Sequence, residues 1–347
     1  MLFAGDNYYP AFPNLYTIRG SSPRPINQWI NSLDLMKDLK AEYMVPSHTE
    51  PVCGAERINE LLTMYRDAIQ HIHDAVIRGA NEGKNPDQLV AEIKLPPHLA
   101  AYPELRELYG KVSWSVRGIY DGYLGWFDGN ATNLEPLPYW ERAQKIADLA
   151  GGSDKLLEEA KQSLDNEEYQ WAAELADMLL ALDPEDQKAV EIKIEALIKI
   201  GQATYNTNAR CYYFTSALEL AGRMEKAKPL QVGAELAHLI PLDLIFRHMA
   251  VKLDPVASAD QEITAVFKIT DTGEDYTVMV RRGVAEIRFE PVEDADLVIN
   301  MEKKVWQEIA LGVSNPLLAL ATGKIKVDGN KILLLKKFFS FFKQLED

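Results

Sequence analysis

Apolar positions along the chain change period three times. Leu2–Ala4 and Tyr43–Val45 are short apolar runs, each ending at a polar residue, Asp6 and His48. Between them Trp29, Ile30, Leu33 and Met36 fall on one face, which predicts a helix over 26–39. Strand, loop, helix, strand is an α/β pattern. From Ile58 the spacing becomes helical. Ile58, Leu61, Leu62, Tyr65, Ile69, Ile72 and Val76 form one stripe of a long amphipathic helix that Gly83 stops. A second, aromatic-rich helix is expected over 112–127, ended by Asp128-Gly129-Asn130.

Residues 153–222 read as packed helical hairpins, with Ser153 and Asp165 as candidate N-caps. Trp171, Ala172, Leu175, Ala176 and Leu179, followed by Asp183-Pro184, resemble a tetratricopeptide unit, of which one clear copy is visible. After residue 235 the period drops to two. Ile263, Ala265, Phe267 and Ile269 recur at every second position, as do Ala285, Ile287 and Phe289, and then Ala295, Leu297, Ile299 and Met301. Thr272-Gly273 and Arg282-Gly283 supply hairpin turns. Helices are expected over 303–311 and 331–344, so this part is a separate α+β domain.

Length fits two or three domains: 347 residues, 47% hydrophobic and 26% charged. Net charge is −15, and Lys and Arg are not massed in any block, so no nucleic-acid footprint is present. An anionic substrate would need a local cationic pocket working against that field. The two cysteines, Cys53 and Cys211, imply neither a disulfide framework nor a cysteine-rich metal site. Apolar runs fall short of a membrane span, and no basic stretch precedes an apolar core at the start. The compartment is therefore open, with the cytoplasm as default. Met1-Leu-Phe-Ala-Gly-Asp6 reads as a buried strand running into a functional loop, which leads to the expectation of a missing upstream segment.

Ala4-Gly-Asp6, Phe12-Pro-Asn-Leu-Tyr-Thr-Ile-Arg-Gly20, Arg24, Trp29, Ser32-Leu-Asp34, Val45-Pro-Ser-His48 and Pro51-Val-Cys-Gly54 closely resemble the alkylsulfatases that degrade alkyl sulfates. So do Tyr65-Arg-Asp-Ala-Ile69, His73-Asp74, Leu95-Pro-Pro-His-Leu99, Tyr109-Gly110 and Tyr123-Leu-Gly-Trp-Phe-Asp-Gly129, with Thr322-Gly-Lys-Ile-Lys-Val-Asp-Gly329 at the far end. The resemblance implies three parts. Residues 1–55 would be the C-terminal remnant of a metallo-β-lactamase αββα fold. Residues 56–222 would be a helical, tetratricopeptide-like dimerisation domain. Residues 223–347 would be an α+β sterol-carrier-like domain that offers apolar surface to an alkyl chain or lipid, with Leu311, Leu317, Leu318, Leu320, Phe338, Phe339, Phe341 and Phe342 as its candidates.

The same resemblance implies a two-zinc catalytic site and a homodimer, in which the Ile58–Val76 stripe and the aromatic stretch 109–127 take part. Asp6 matches a late acidic ligand and His48 a late histidine ligand; a carboxylate can bridge two cations and a neutral imidazole suits zinc. Taken alone, Asp6 reads as a turn aspartate and His48 as a core histidine. Arg19 and Arg24 match the positions that hold sulfate, and guanidinium forks suit tetrahedral oxyanions. Tyr120 or Tyr123 adds a hydroxyl, with the choice between them open.

One absence departs from the family. No His-x-His-x-Asp-His motif occurs, so this sequence supplies at most two direct zinc ligands and is expected to be inactive alone. His71-Ile-His73-Asp74 is a decoy, because helical residues two apart point about 200° apart. His73 is expected in a buried hydrogen bond instead. Pro25 stands where relatives have Asp, and Thr49-Glu50 replaces a Gly-Arg-type pair. Two readings follow: a zinc-dependent alkylsulfatase completed by an N-terminal half, or a non-catalytic dimerising protein that binds alkyl chains.

Overall fold

The computed structural model describes residues 1–225, 238–329 and 331–342. The chain divides into two compact units, residues 1–226 and 227–347, and each is described by itself.

The first unit opens on a small sheet. Strand β1 (Leu2–Gly5) pairs parallel with β2 (Tyr43–Pro46), which pairs antiparallel with β3 (Val52–Cys53). Helix α1 (Ile26–Asp38) makes the parallel crossover, burying Ile26, Ile30, Leu33 and Met36. Helix α2 (Ala55–Asn81) follows. The full stripe from Ile58 to Val76 is buried at 3% exposure or less, in one core that runs from Ala4 to Tyr120. This corrects the expectation that the stripe faces a partner subunit. Its side chains already stabilise this unit, at about 1.5–3 kcal/mol for each large one. Packing also runs without a break across residue 55.

Asn85 caps α3 (Pro86–Glu92) in a reciprocal bond with Gln88. A short α4 (Pro97–Ala100) leads to α5 (Val112–Leu124). Helix α5 ends three residues earlier than expected. Gly125 takes φ 76°, and Trp126 and Phe127 leave the helix with the Asp128 turn. Helices α6 (Tyr139–Ala150), α7 (Ser153–Asp165), α8 (Tyr169–Leu182) and α9 (Gln187–Ala203) share a second core. Ala160, Ala172, Ala176, Ala189 and Ala196 there let the helices approach closely. Neither expected cap forms: Ser153 is the first residue of α7 and Asp165 its last, because Gly151 and Gly152 turn the chain at positive φ before it. Helix α10 (Thr207–Leu220) closes the set, capped by Asn206.

In the second unit, α11 (Leu242–Val251) precedes a sheet of order β6-β5-β4-β7-β8. Its strands are β4 (Glu262–Ile269), β5 (Glu274–Arg281), β6 (Val284–Arg288), β7 (Leu297–Met301) and β8 (Ile325–Val327). All pairings are antiparallel except β4 with β7. Both expected turns form. Arg282 and Gly283 sit at φ 51° and 75°, the two positive values that suit a tight hairpin.

Helices α12 (Lys303–Ala310), α13 (Pro316–Ala321) and α14 (Ile332–Phe339) complete the unit. Phe289 lies beyond β6 and is exposed. The final helix stops short of its expected end. Phe341 accepts a hydrogen bond from Asp254 N, and Phe342 bridges to Leu253. Residues 343–347 lie outside the described residues, as does the side chain of Leu317. Of the apolar residues considered for an alkyl tunnel, Phe338 and Phe341 are core, Phe339 and Phe342 pack against it, and Leu318 faces solvent.

Candidate anion groove and metal edge

Two strand ends bring two chemically apt side chains together. Gly5 lies opposite Pro46 in the parallel β1–β2 pair, and Ser47 N–H donates to Gly5 O. Just past these strand ends Asp6 meets His48, with Nε2 3.5 Å from Oδ1. Both are largely exposed, 70% and 76% at the side chain, so their outer faces are open to a cation. No group of three or more His, Cys, Asp or Glu side chains suited to a metal occurs among the described residues. Asp6 and His48 have donor types that suit zinc, and as a pair they fall short of the three protein ligands of a catalytic site.

Trp29 ties this edge to the first arginine. Its indole Nε1–H donates to Asn7 O at 2.9 Å, directly after Asp6, and the Arg24 guanidinium lies 5.5 Å from the Trp29 ring centre. Arg24 lines a groove of about 320 Å³ with Asn27, Gln28, Tyr123 and the backbone-exposing Gly118 and Gly122. Tyr123 lines it too, while Tyr120 is buried in the core. Arg19 is exposed and is not among the residues lining the groove. It meets Tyr109, and the hydrogen bond between them raises the guanidinium pKa and keeps its charge. Tyr212 of α10 donates to Ile18 O at 3.0 Å, next to Arg19.

A buried tyrosine cluster backs the 6–25 loop. Tyr8 and Tyr9 meet Tyr65 edge to face, and Tyr9 meets Tyr109 in the same way. Asn14 N–H donates to Tyr9 Oη at 2.6 Å. Burial raises the pKa of Tyr8 to about 12, with Glu104 adding to it, and pushes Tyr65 well above the ordinary phenol value. These phenols stay neutral. At Gly110 an added Cβ would stand 2.1 Å from Pro13 O, so only glycine lets the two loops touch.

The two histidines of α2 diverge. His71 Nε2 lies 3.1 Å from Lys94 O, and His73 Nε2 lies 2.9 Å from Tyr123 Oη. Asn27 Nδ2 also donates to Tyr123 Oη, at 3.4 Å. Sequence reasoning missed Asn27; its place in the first turn of α1, after Arg24-Pro25, is the only local signal for it. Asn206 was missed as well. It is 3% exposed, and its amide donates to Glu107 O, Tyr109 O and Gly110 O at 2.9, 3.0 and 3.1 Å. These partners lie about a hundred residues away, so no local pattern reveals them.

The family described as "Alkyl sulfatase dimerisation" matches residues 85–223, and that described as "Alkyl sulfatase C-terminal" matches residues 231–347. A linear primary-alkylsulfatase of Pseudomonas sp. (strain ATCC 19151) is 38% identical, over 96% of this chain and 65% of its own length. An (R)-specific secondary-alkylsulfatase of Pseudomonas sp is 28% identical, over 100% of this chain and 52% of its own length. The solved structure of the stereoselective inverting sec-alkylsulfatase Pisa1 from Pseudomonas sp. superposes with a TM-score of 0.92 at 27% identity, covering 99% of this chain and 54% of that one. The chain spans from about half to just under two thirds of the length of these relatives. It matches the C-terminal part of the alkylsulfatases, with their dimerisation domain followed by their C-terminal domain.

Proposed function

We propose that this chain forms the sulfate-binding and dimerising part of a zinc-dependent alkylsulfatase, which hydrolyses alkyl sulfate esters to alcohol and sulfate. The observation that carries the reading is the Asp6–His48 pair, 3.5 Å apart at the ends of two parallel strands and linked through Trp29 to the Arg24 groove. Asp6 and His48 would hold the metal side. Zinc, when bound, supplies a coordinated water acidified to near neutrality. The remaining ligands would come from an N-terminal half that bears the His-x-His-x-Asp-His motif. Arg24 and Tyr123 would hold the sulfate group in the groove, with Arg19 at the rim.

In this reading residues 1–55 complete a metallo-β-lactamase fold, residues 56–222 form the helical, tetratricopeptide-like dimerisation domain, and residues 223–347 are sterol-carrier-like. The similarity to a linear primary-alkylsulfatase and an (R)-specific secondary-alkylsulfatase supports alkyl sulfates as the substrate class. The test is sulfate release from sodium dodecyl sulfate by this chain joined to the segment encoded upstream. Activity should require both halves and fall at least a hundredfold in Asp6→Ala and His48→Ala. Full activity in both variants would remove these residues from the metal edge.

A further inference from the structure

One titratable ring stands directly behind the groove, and the proposed chemistry does not use it. The His73 side chain is 12% exposed. Its Nδ1 lies 2.8 Å from Asp74 Oδ1 and its Nε2 2.9 Å from Tyr123 Oη. The carboxylate is fixed from behind. Gln70 Nε2–H donates to Asp74 Oδ2 at 3.1 Å, Arg66 donates to Gln70 Oε1 at 2.5 Å, and Arg66 Nε–H donates to Asp34 at 2.7 Å. Burial pushes the Asp74 pKa up, but the hydrogen bonds from His73 and Gln70, with the charge of Arg78, outweigh it and hold the carboxyl below its ordinary value. Asp74 is therefore a fixed anion aimed at Nδ1.

A count of protons then decides what Tyr123 can offer. With His73 neutral, Nδ1–H donates to Asp74 and bare Nε2 accepts the Tyr123 hydroxyl proton. Asn27 donates to the same oxygen, so Tyr123 turns only lone pairs toward the groove. With His73 protonated, Nε2–H donates to Tyr123 Oη, and the phenolic proton is released toward the groove. An oxyanion there needs donors and is matched only by the second arrangement.

We propose that binding of a sulfate-type anion beside Arg24 is coupled to uptake of one proton by His73, which turns Tyr123 from acceptor to donor. His73 is a positioning residue in this device, since it acts on the anion through Tyr123. The groups facing the ring and its partners are Asp74, Gln70 and Arg78 on α2, Tyr123 on α5 and Asn27 on α1, with Arg24 among the groove residues. Asp74 and the incoming anion favour the imidazolium, while the arginines oppose it. Proton uptake should thus accompany binding and be absent without it. The inference rests on the reading of this groove as the seat of the sulfate group.

The test is calorimetric titration of the full chain with butyl sulfate, at one pH, in two buffers of different ionisation heat. The pH is chosen so that ring-nitrogen NMR shows His73 neutral in the free chain. Wild type should show a buffer-dependent heat equal to uptake of up to one proton, and both His73 ring nitrogens protonated in the complex. Tyr123→Phe should bind about tenfold more weakly, the loss of one hydrogen bond to a charged group, with no proton uptake. Tyr123 is 54% exposed, so this variant leaves the core intact. His73→Gln should bind with a heat independent of buffer, and Asn27→Ala should keep the uptake. Binding with a buffer-independent heat in wild type, or uptake that survives His73→Gln, would overturn the coupling alone. No binding by wild type would overturn the groove reading and the coupling with it.

Discussion

The Asp6 carboxylate and the His48 imidazole, 42 positions apart in sequence, stand 3.5 Å from one another because both follow the C-terminal ends of the parallel strands β1 and β2, past a register shift between Phe3 and Gly5. Parallel pairing needs a crossover, and α1 is that crossover. The same helix carries Trp29, which ties the chain after Asp6 to Arg24. The Asp6–His48 pair and the Arg24 side of the groove thus both depend on one strand–helix–strand unit, while α5 supplies Gly118, Gly122 and Tyr123 to the groove. In open α/β sheets, the carboxyl ends of strands are where such sites collect.

Zinc affinity should reflect the donor count. A full structural set is worth about 10–16 kcal/mol, so two ligands leave roughly 5–8 kcal/mol, a dissociation constant of about 1–200 µM. Calorimetry of the full chain with zinc chloride should give a value in that range. His48→Ala should weaken it beyond detection. Stoichiometric nanomolar zinc in the purified chain would mean that further ligands are present.

Asn206 should be a stability hot spot out of proportion to its size. One buried amide donates to the carbonyls of Glu107, Tyr109 and Gly110 while its Oδ1 caps α10 at Ala209 N. Asn206→Asp removes the donors and sets a carboxylate against carbonyl oxygens. The expected loss is about 2–4 kcal/mol of first-unit stability by urea denaturation, against under about 0.5 kcal/mol for exposed Gln170→Ala.

Most elements were legible because period and punctuation agree. The stripe of α2 and the alternation of β4 and β7 each bury one face. The β5–β6 hairpin follows from Arg282-Gly283, where both residues take positive φ. What failed was local. Ser153 looked like a cap, but Gly151 and Gly152 had already set the start of α7. The α14 end was overrun because Phe341 and Phe342 look helical by composition, while Asp254 and Leu253 draw them into pairing. Asp6, His48 and Arg24 are candidates that motif resemblance offers. Their backing is not offered in this way, since Asn27, Asn206 and the Gln70–Arg66–Asp34 chain act through partners far away in sequence.

Alkaline pH should unfold the first unit through its tyrosines. Burial, followed by the charge of Glu104, raises Tyr8 from 10.0 to about 12, and Tyr65 moves in the same direction. The folded state thus holds these protons more tightly than the unfolded chain. The stabilisation is fully present below pH 10 and is lost as pH rises toward 12. Tyrosinate absorbance should therefore climb in a late, cooperative step that coincides with loss of helical circular dichroism. Smooth titration of every tyrosine near pH 10, with the fold intact, would contradict the burial of Tyr8 and Tyr65.

Self-association should depend on the segment from the end of α5 to the start of α6 and not on the apolar stripe of α2. The α2 stripe is enclosed in its own core. By contrast Leu124, Trp126, Leu134, Leu137, Tyr139 and Trp140 are 47–71% exposed within 17 residues of chain. An apolar, aromatic surface of this density is costly to leave in water, and such residues carry most of the energy in protein interfaces. The segment lies within the 85–223 match to the dimerisation family. A second copy of the chain is therefore the expected occupant. Sedimentation at about 10 µM should show a dimer, within the affinity range of specific interfaces. Trp126→Asp with Trp140→Asp should shift it to monomer, with unchanged circular dichroism because neither indole contributes to the core. A monomeric wild type, or a double variant that still dimerises, would place the interface elsewhere.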